Sequence, residues 1–260
     1  MATNYSIQKL KSTDNHLIDD ICELLKDNYD PAISKYFVYN DQAYKSFLAS
    51  NLLRTDQFIY YIGFNKTIIG FAQFKIVANT LFLINLIVRK NYQNNKLGSR
   101  LLNYGIIAAS TSAPHINVFE LNAFVSNTIL NWYLRLGMKL VNIDYWYDLT
   151  NLNLDIDLEN QNNNLLEFKY ISDQFGFTQL FLINTPVGYL INSKKLVIKG
   201  NFPFAYLSKI PLVLHDQEIQ LSCIVSNVIL DFPLIDRSYV LRIQIPDLQF
   251  VNDHLSMNNN

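Results

Sequence analysis

Cysteine, histidine, charge and long apolar runs are all scarce in this chain of 260 residues, and each shortage removes a class of explanation. Cys22 and Cys223 are the only cysteines, far apart and in no C-x-x-C pair, so no disulfide framework is possible. They read as two reduced, buried thiols, which suits a cytoplasmic protein. The histidines His16, His115, His215 and His254 are scattered without ligand spacing, so no metal site is expected. Charged residues make up 17% of the chain, below the usual share of about a quarter. With a formal net charge of −1 there is no electrostatic case for nucleic acid or an anionic membrane as partner. The most apolar stretch, Leu81 to Val88, is far too short to span a bilayer. The segment Met1 to Lys11 lacks the apolar centre of a signal peptide. Neither a Gly-x-Ser-x-Gly elbow nor a Walker loop is present. A soluble, cytoplasmic protein without a metal is the expectation.

Half of the residues are apolar, enough for a sizeable core, and much of the polar surface must come from Asn, Gln, Ser and Tyr. Tyr5 to Lys9 alternates as a short strand. Leu17, Ile18, Ile21, Leu24 and Leu25 stand at helical spacing behind Asp14 or Asn15 as cap. A second helix is expected over Asp41 to Leu53. Strands are expected over Phe58 to Phe64 and Thr67 to Val77, joined by a turn at Asn65-Lys66, and over Thr80 to Arg89, apolar enough to be buried on both faces. A helix follows from Lys96 to Ser110, a strand from Asn117 to Val125, and a helix from Ser126 to Leu136 stopped by Gly137. One or two strands then cover Met138 to Leu149.

This order predicts a mixed α/β domain over residues 1–150, with a central sheet flanked by helices. The polar stretch 151–164, with Glu159 to Asn164 at its end, reads as a linker. Asp155-Ile156-Asp157 within it reads as a solvated turn, and the tail Met257 to Asn260 as frayed. Residues 165–256 read as a smaller β-rich C-terminal domain. Its strands are expected at Phe177 to Asn184, Gly188 to Ile191 and Lys195 to Lys199. Alternation over Ile219 to Val225 and Tyr239 to Ile245 argues two further, half-buried strands.

The chemistry sits in Val88-Arg89-Lys90-Asn91-Tyr92-Gln93-Asn94-Asn95-Lys96-Leu97-Gly98-Ser99-Arg100. A buried strand runs into a polar loop and then a helix. Such a helix start offers unpaired backbone N–H groups and a partial positive charge, a seat for phosphate. The stretch resembles the first motif of the GNAT acetyltransferases, Gln/Arg-x-x-Gly-x-Gly/Ala after a Val-ended strand. Gln93 matches its first position and Gly98 its last, while Lys96 stands where the family has its first glycine. A lysine is expected not to reach glycine-only angles, leaving Asn94 and Asn95 to absorb the turn. Downstream, Leu121-Asn122-Ala123-Phe124-Val125-Ser126-Asn127 resembles the family's next strand and the Asn that opens the following helix. Tyr133-Leu134-Arg135-Leu136-Gly137-Met138 resembles its Tyr-x-x-x-Gly-Phe signature.

The resemblance implies acetyl-CoA as co-substrate, attacked directly by an amine. It implies that backbone N–H groups near Leu86, Ile87 and Val88 bond the pantetheine arm and polarise the thioester carbonyl. Gln93, Asn94, Asn95, Lys96, Leu97, Gly98 and Ser99, with Asn127, are implied to hold the cofactor. Tyr133 is implied to protonate the leaving thiolate, since a phenol's ordinary pKa near 10 exceeds a thiol's. The general base is less evident. Asn85, the only polar side chain from Leu83 to Val88, can orient a water, and Glu120 on the next strand is the candidate carboxylate. Tyr145 and Tyr147 line either the acceptor site or the core. The expected reaction is N-acetylation of a small-molecule primary amine such as an amino sugar. The β-rich part would then wall the acceptor site or form a homodimer contact. The competing reading is a degenerate CoA-binding or interaction module.

Overall fold

The computed structural model describes residues 5–64, 67–151, 168–199, 202 and 204–248. The Asn65-Lys66 turn, the Asp155 to Asp157 turn, the run Glu159 to Asn164 and the tail from Met257 lie outside the described residues. In chain order the first elements are strand β1 (Ile7–Lys9) and helices α1 (Asn15–Asp27), α2 (Pro31–Ser34) and α3 (Tyr44–Asn51). Strands β2 (Gln57–Phe64), β3 (Thr67–Val77) and β4 (Thr80–Val88) follow, then helix α4 (Leu97–Ser112), strand β5 (Val118–Phe124), helix α5 (Leu130–Arg135) and strand β6 (Lys139–Asp148). The remainder is β7 (Phe168–Ser172), β8 (Thr178–Leu182), β9 (Thr185–Ile191), β10 (Lys195–Lys199), the short β11 (Val213–Leu214) and β12 (Gln217–Glu218), β13 (Gln220–Ser226) and β14 (Leu234–Gln244).

The chain packs as two compact units, each drawn from separated segments. The first comprises Met1–Asn28, Leu48–Ile143 and Tyr239–Asn260, the second Tyr29–Phe47 and Asp144–Ser238. In the first, the strands run β1-β2-β3-β4-β5-β14-β6. Pairing is antiparallel from β1 to β4 and parallel between β4 and β5, so α4 is the crossover between them. Helix α4 buries Leu97, Leu101, Leu102, Ile106 and Ala109 against Phe74, Leu81, Leu83, Phe119 and Leu121 of the sheet. Each of the leucine and isoleucine side chains contributes roughly 1.5–3 kcal/mol when fully buried. Gly105 lets the helix approach closely, because a Cβ there would lie 2.2 Å from the Phe74 ring. On the opposite face, α1 packs against β3 and buries Ile18, Ile21, Leu24 and Leu25.

In the second unit the strands run β7-β8-β9-β10-β13-β6. Pairing is again antiparallel to the fourth strand and parallel between the fourth and fifth, β10 and β13. The two strand orders therefore match step for step, and in each the place beside the fifth strand goes to the last strand of the other half of the chain. The crossovers differ. Where the first unit has the 16-residue α4, the second has a six-residue 3-10 stretch, Phe204–Lys209, and the β11–β12 hairpin.

Three expectations need correction. The second helix is shorter than Asp41 to Leu53. An additional turn, α2, precedes it, with Pro31 in its first turn and Asp30 accepting from the Ala32 N–H at 2.8 Å, a capping arrangement legible in Asp-Pro. Strand β4 is not buried on both faces, since its burial alternates and Ile84 is 47% exposed. Strand β13 is the one buried on both faces. Its alternating Ser222 and Ser226 are small enough to be enclosed once their hydroxyls bond the carbonyls of Gln220 and Val228.

Candidate active site

Strand β4 loses its neighbour halfway along. Its parallel pairing with β5 runs from Thr80 opposite Val118 to Leu83 opposite Leu121 and stops there. At the same point the ladder with β3 slips, with Phe74 opposite Leu83 and Gln73 opposite Asn85, which leaves Ile84 as a bulge. From Asn85 to Val88 the strand is held by β3 alone, and its other edge is open. The Arg89 N–H donates to Ile69 O at 2.8 Å, toward β3. Strand alternation then turns the Ile87 N–H toward β3 and those of Leu86 and Val88 toward the open edge. The Val88 carbonyl faces that edge too, where it accepts from Gln93 Nε2 at 2.9 Å.

That bond ties the loop to the end of the strand. Asn95 Nδ2 tightens the loop further by donating to the carbonyls of Tyr92 and Gln93, both at 3.2 Å. Asn94 and Lys96 take φ of +63° and +59°. Lys96, at ψ 11°, is the cap residue of α4 and gives it no side-chain hydrogen bond. Lys96 thus shares the turn with Asn94, in the left-handed region open to any L-residue rather than at glycine-only angles, while Asn95 keeps a negative φ. The position requires the left-handed helical region, which a lysine enters at a cost of roughly 1–2 kcal/mol. The N–H groups of Leu97, Gly98 and Ser99 have no acceptor within the helix, so the helix start keeps its partial positive charge. Leu97 anchors the turn in the core. A Cβ on Gly98 would make ordinary contact with Val88 Cγ2 at 3.8 Å and Leu86 Cδ2 at 4.0 Å, so this glycine lies against the end of β4.

On the sheet face away from α4, β4 and β5 carry two buried polar residues at the point of parting. Asn85 Nδ2 donates to Gln73 Oε1 at 2.8 Å, directly across the ladder. Glu120, opposite Phe82, is 8% exposed, and Arg242 of β14 reaches its Oε2 with Nε at 2.7 Å and Nη2 at 2.6 Å. Tyr133, on α5, is buried in the core cluster on the α4 side, its ring tilted against Trp132 at 4.9 Å. Asn127 lies three residues ahead of α5 and accepts from the Ile129 N–H at 3.1 Å, so it shapes the turn into that helix. Tyr147 belongs to the second unit, where its hydroxyl accepts from the Leu230 N–H at 2.9 Å, and Tyr145 stacks on it at 6.3 Å. Arg242 and Gln73 carry no sequence signal as partners of Glu120 and Asn85. Arg242 stands 122 residues from Glu120, and nothing in an alternating strand says which other strand it joins.

Among the described residues no group of His, Cys, Asp and Glu could hold a metal, and no helix is long and apolar enough to cross a membrane. The profile of the Acetyltransferase (GNAT) family matches residues 18–138, which span the open strand edge, the loop and α5. A search of curated proteins finds no match to this chain. Among solved structures, the chain is similar to a Pyrococcus horikoshii protein assigned as an acetyltransferase, with a TM-score of 0.61 and 11% identity over 94% of this chain and 90% of that one. It is similar also to a tandem GNAT protein from the clavulanic acid biosynthesis pathway, with a TM-score of 0.57 and 9% identity over 93% and 98%. A PaiA N-acetyltransferase from Thermoplasma acidophilum, solved with coenzyme A, aligns at 20% identity over 54% of this chain and 92% of that one, with a TM-score of 0.47. At such identities the structural likeness speaks for the fold, and it extends across nearly the whole chain. The parted strand, the uncapped helix start and the profile match coincide in the first unit, where residues 18–138 match the GNAT acetyltransferases, a family of acetyl-CoA-dependent transferases.

Proposed function

We propose that the first unit binds acetyl-CoA and transfers its acetyl group to the primary amine of a small molecule. The observation that carries this reading is the parting of β4 and β5 after Leu83, which leaves two backbone donors beside an uncapped helix start. The residues fit the cofactor. Gln93 to Ser99 form the seat for the pyrophosphate, with the N–H groups of Leu97, Gly98 and Ser99 as donors and the exposed Lys96 ammonium beside them. The N–H groups of Leu86 and Val88 take the pantetheine arm and the thioester oxygen, where fixed donors stabilise developing negative charge.

Bound acetyl-CoA supplies an activated acyl thioester. The chain's own groups handle the protons. As the C–N bond forms and the C–S bond breaks, Glu120 Oε1 takes the proton that the amine loses and Tyr133 gives its phenolic proton to the departing sulfur. Asn85, fixed by Gln73, orients water on the same face. Asn127 shapes the entry to α5 and thereby places Tyr133.

The second unit supports a narrower role. Its matching strand order supports reading it as a second copy of the same fold. There the parallel strands β10 and β13 stay paired to Lys199 opposite Val225 at the end of β10, and the crossover lacks a long helix. We read it as a copy without a cofactor site that serves self-association. A second reading, a CoA-binding module without turnover, is favoured by the burial of Tyr133 and the pairing of Glu120 with Arg242.

Thermal melting with millimolar acetyl-CoA tests the binding. A ligand at a hundred times its Kd stabilises by about 2.7 kcal/mol, so a clear rise is expected, and an unchanged melting temperature would sink the proposal. Thiol release from acetyl-CoA across a panel of amines separates the two readings. Turnover supports the enzyme, and a melting shift without release supports the module.

A further inference from the structure

We propose that Arg242 is a positioning residue for Glu120, so that acetyl transfer in the first unit depends on the last strand of the chain. This inference rests on the acetyltransferase reading and on Glu120 as the group that meets the amine. Glu120 is carried by β5 on the register step just before β4 and β5 part, on the face that also carries Asn85. A carboxylate there can swing between rotamers. The strand beside β5 is β14, whose Leu241 and Ile243 point into the core on the α4 side, so that Arg242 between them points to the face of Glu120.

The contact has an unusual division of labour. Two of the three guanidinium nitrogens lie on the same oxygen, Oε2: Nε donates to it at 2.7 Å and Nη2 stands 2.6 Å from it, and no hydrogen bond from Arg242 reaches Oε1. Among the described residues Oε1 accepts no hydrogen bond, although the Glu120 side chain is only 10% exposed, and this oxygen is not sealed from solvent. A side-on fork that engages both oxygens is the common geometry for a structural arginine–carboxylate pair. Here one oxygen is clamped and the other is presented. The clamp fixes the direction in which Oε1 points, and orientation of a reacting group is worth large factors in rate.

The test compares Glu120→Gln, Arg242→Gln, Arg242→Lys and the double variant Glu120→Gln/Arg242→Gln in the full-length chain, with an amine that the wild type acetylates. Affinity for acetyl-CoA, measured by calorimetry, is expected to stay within about two-fold of wild type in all four, because neither residue meets the cofactor seat. For Glu120→Gln a loss of kcat of at least about 100-fold is expected. Arg242→Gln should lose about 10- to 100-fold in kcat, Arg242→Lys should recover part of it, and the double variant should be no worse than Glu120→Gln alone. If the lone Arg242→Gln change prevents folding by leaving Glu120 unpaired, the lysine variant and the double variant carry the test.

Wild-type kcat in a folded Arg242→Gln protein, beside an impaired Glu120→Gln, overturns the proposal and leaves the acetyltransferase reading standing. Losses that multiply in the double variant overturn it as well, since they show two independent roles. A wild-type protein that acetylates no amine overturns the acetyltransferase reading and this proposal with it.

Discussion

Lys96 shows how far a motif can be altered without losing its geometry. Its backbone takes the left-handed turn that the family gives to glycine, and the cost of roughly 1–2 kcal/mol is borne by the packing of Leu97 behind it. Replacement by glycine removes that strain but adds freedom to the unfolded chain, a cost of roughly 0.5–1 kcal/mol. Lys96→Gly should therefore lie within about 1 kcal/mol of wild type in chemical denaturation. Its effect should appear in binding instead. The exposed ammonium stands beside the helix start, and its attraction to a pyrophosphate is screened by salt. The Kd for acetyl-CoA should rise less steeply with ionic strength in Lys96→Gly than in wild type. Equal slopes would show that Lys96 does not meet phosphate.

Helix α4 and strand β4 are the elements that make the site, and both depend on details of fit. The bulge at Ile84 changes which alternate residues of β4 face α4, and it coincides with the parting from β5. Gly105 brings α4 close enough to the sheet that the Phe74 ring occupies the place of a side chain. A methyl group there would overlap fully buried ring atoms, and overpacking of this kind typically costs about 1–3 kcal/mol. The better helix propensity of alanine returns up to about 1 kcal/mol. Gly105→Ala should lower stability by a net amount of about 1–2 kcal/mol, or several degrees in melting temperature. It should also weaken acetyl-CoA binding, because the helix start moves with the helix. A variant as stable as wild type would mean that Phe74 has another rotamer available.

At the scale of the whole molecule, the two units share a strand order and differ in the crossover. Among the described residues, only the first has both a strand edge that opens and a long helix that begins beside it. Calorimetric titration with acetyl-CoA should therefore saturate at one equivalent per chain. Saturation at two would place a second site in the unit whose β10 and β13 stay paired throughout. Residues near both ends of the sequence also enter the first unit together, so deletion of the strand Leu234–Gln244 should remove Arg242 from Glu120 and unfold that unit rather than leave it intact.

Local chemistry was legible in the sequence because it needs only neighbours. Helical spacing marked α1 and α4, alternation marked β1, β13 and β14, and a strand running into a polar loop before Gly98 marked the helix start. Gly137, at φ +87°, ends α5 where the motif placed it. Strand pairing was not legible, because an alternating strand advertises a buried face but not a partner. Ile219 to Val225 and Tyr239 to Ile245 looked alike in sequence. One became a strand enclosed on both faces, and the other crossed to the first unit and brought Arg242 to Glu120. The bulge at Ile84 was hidden for the same reason, since it exists only as a mismatch between two ladders. The sequence by itself determined most of the elements and the strand–loop–helix junction before Gly98. Tertiary structure alone decided where β4 opens and which residue holds the carboxylate, because hydrogen-bond register and long-range charge pairing are set only when distant strands meet.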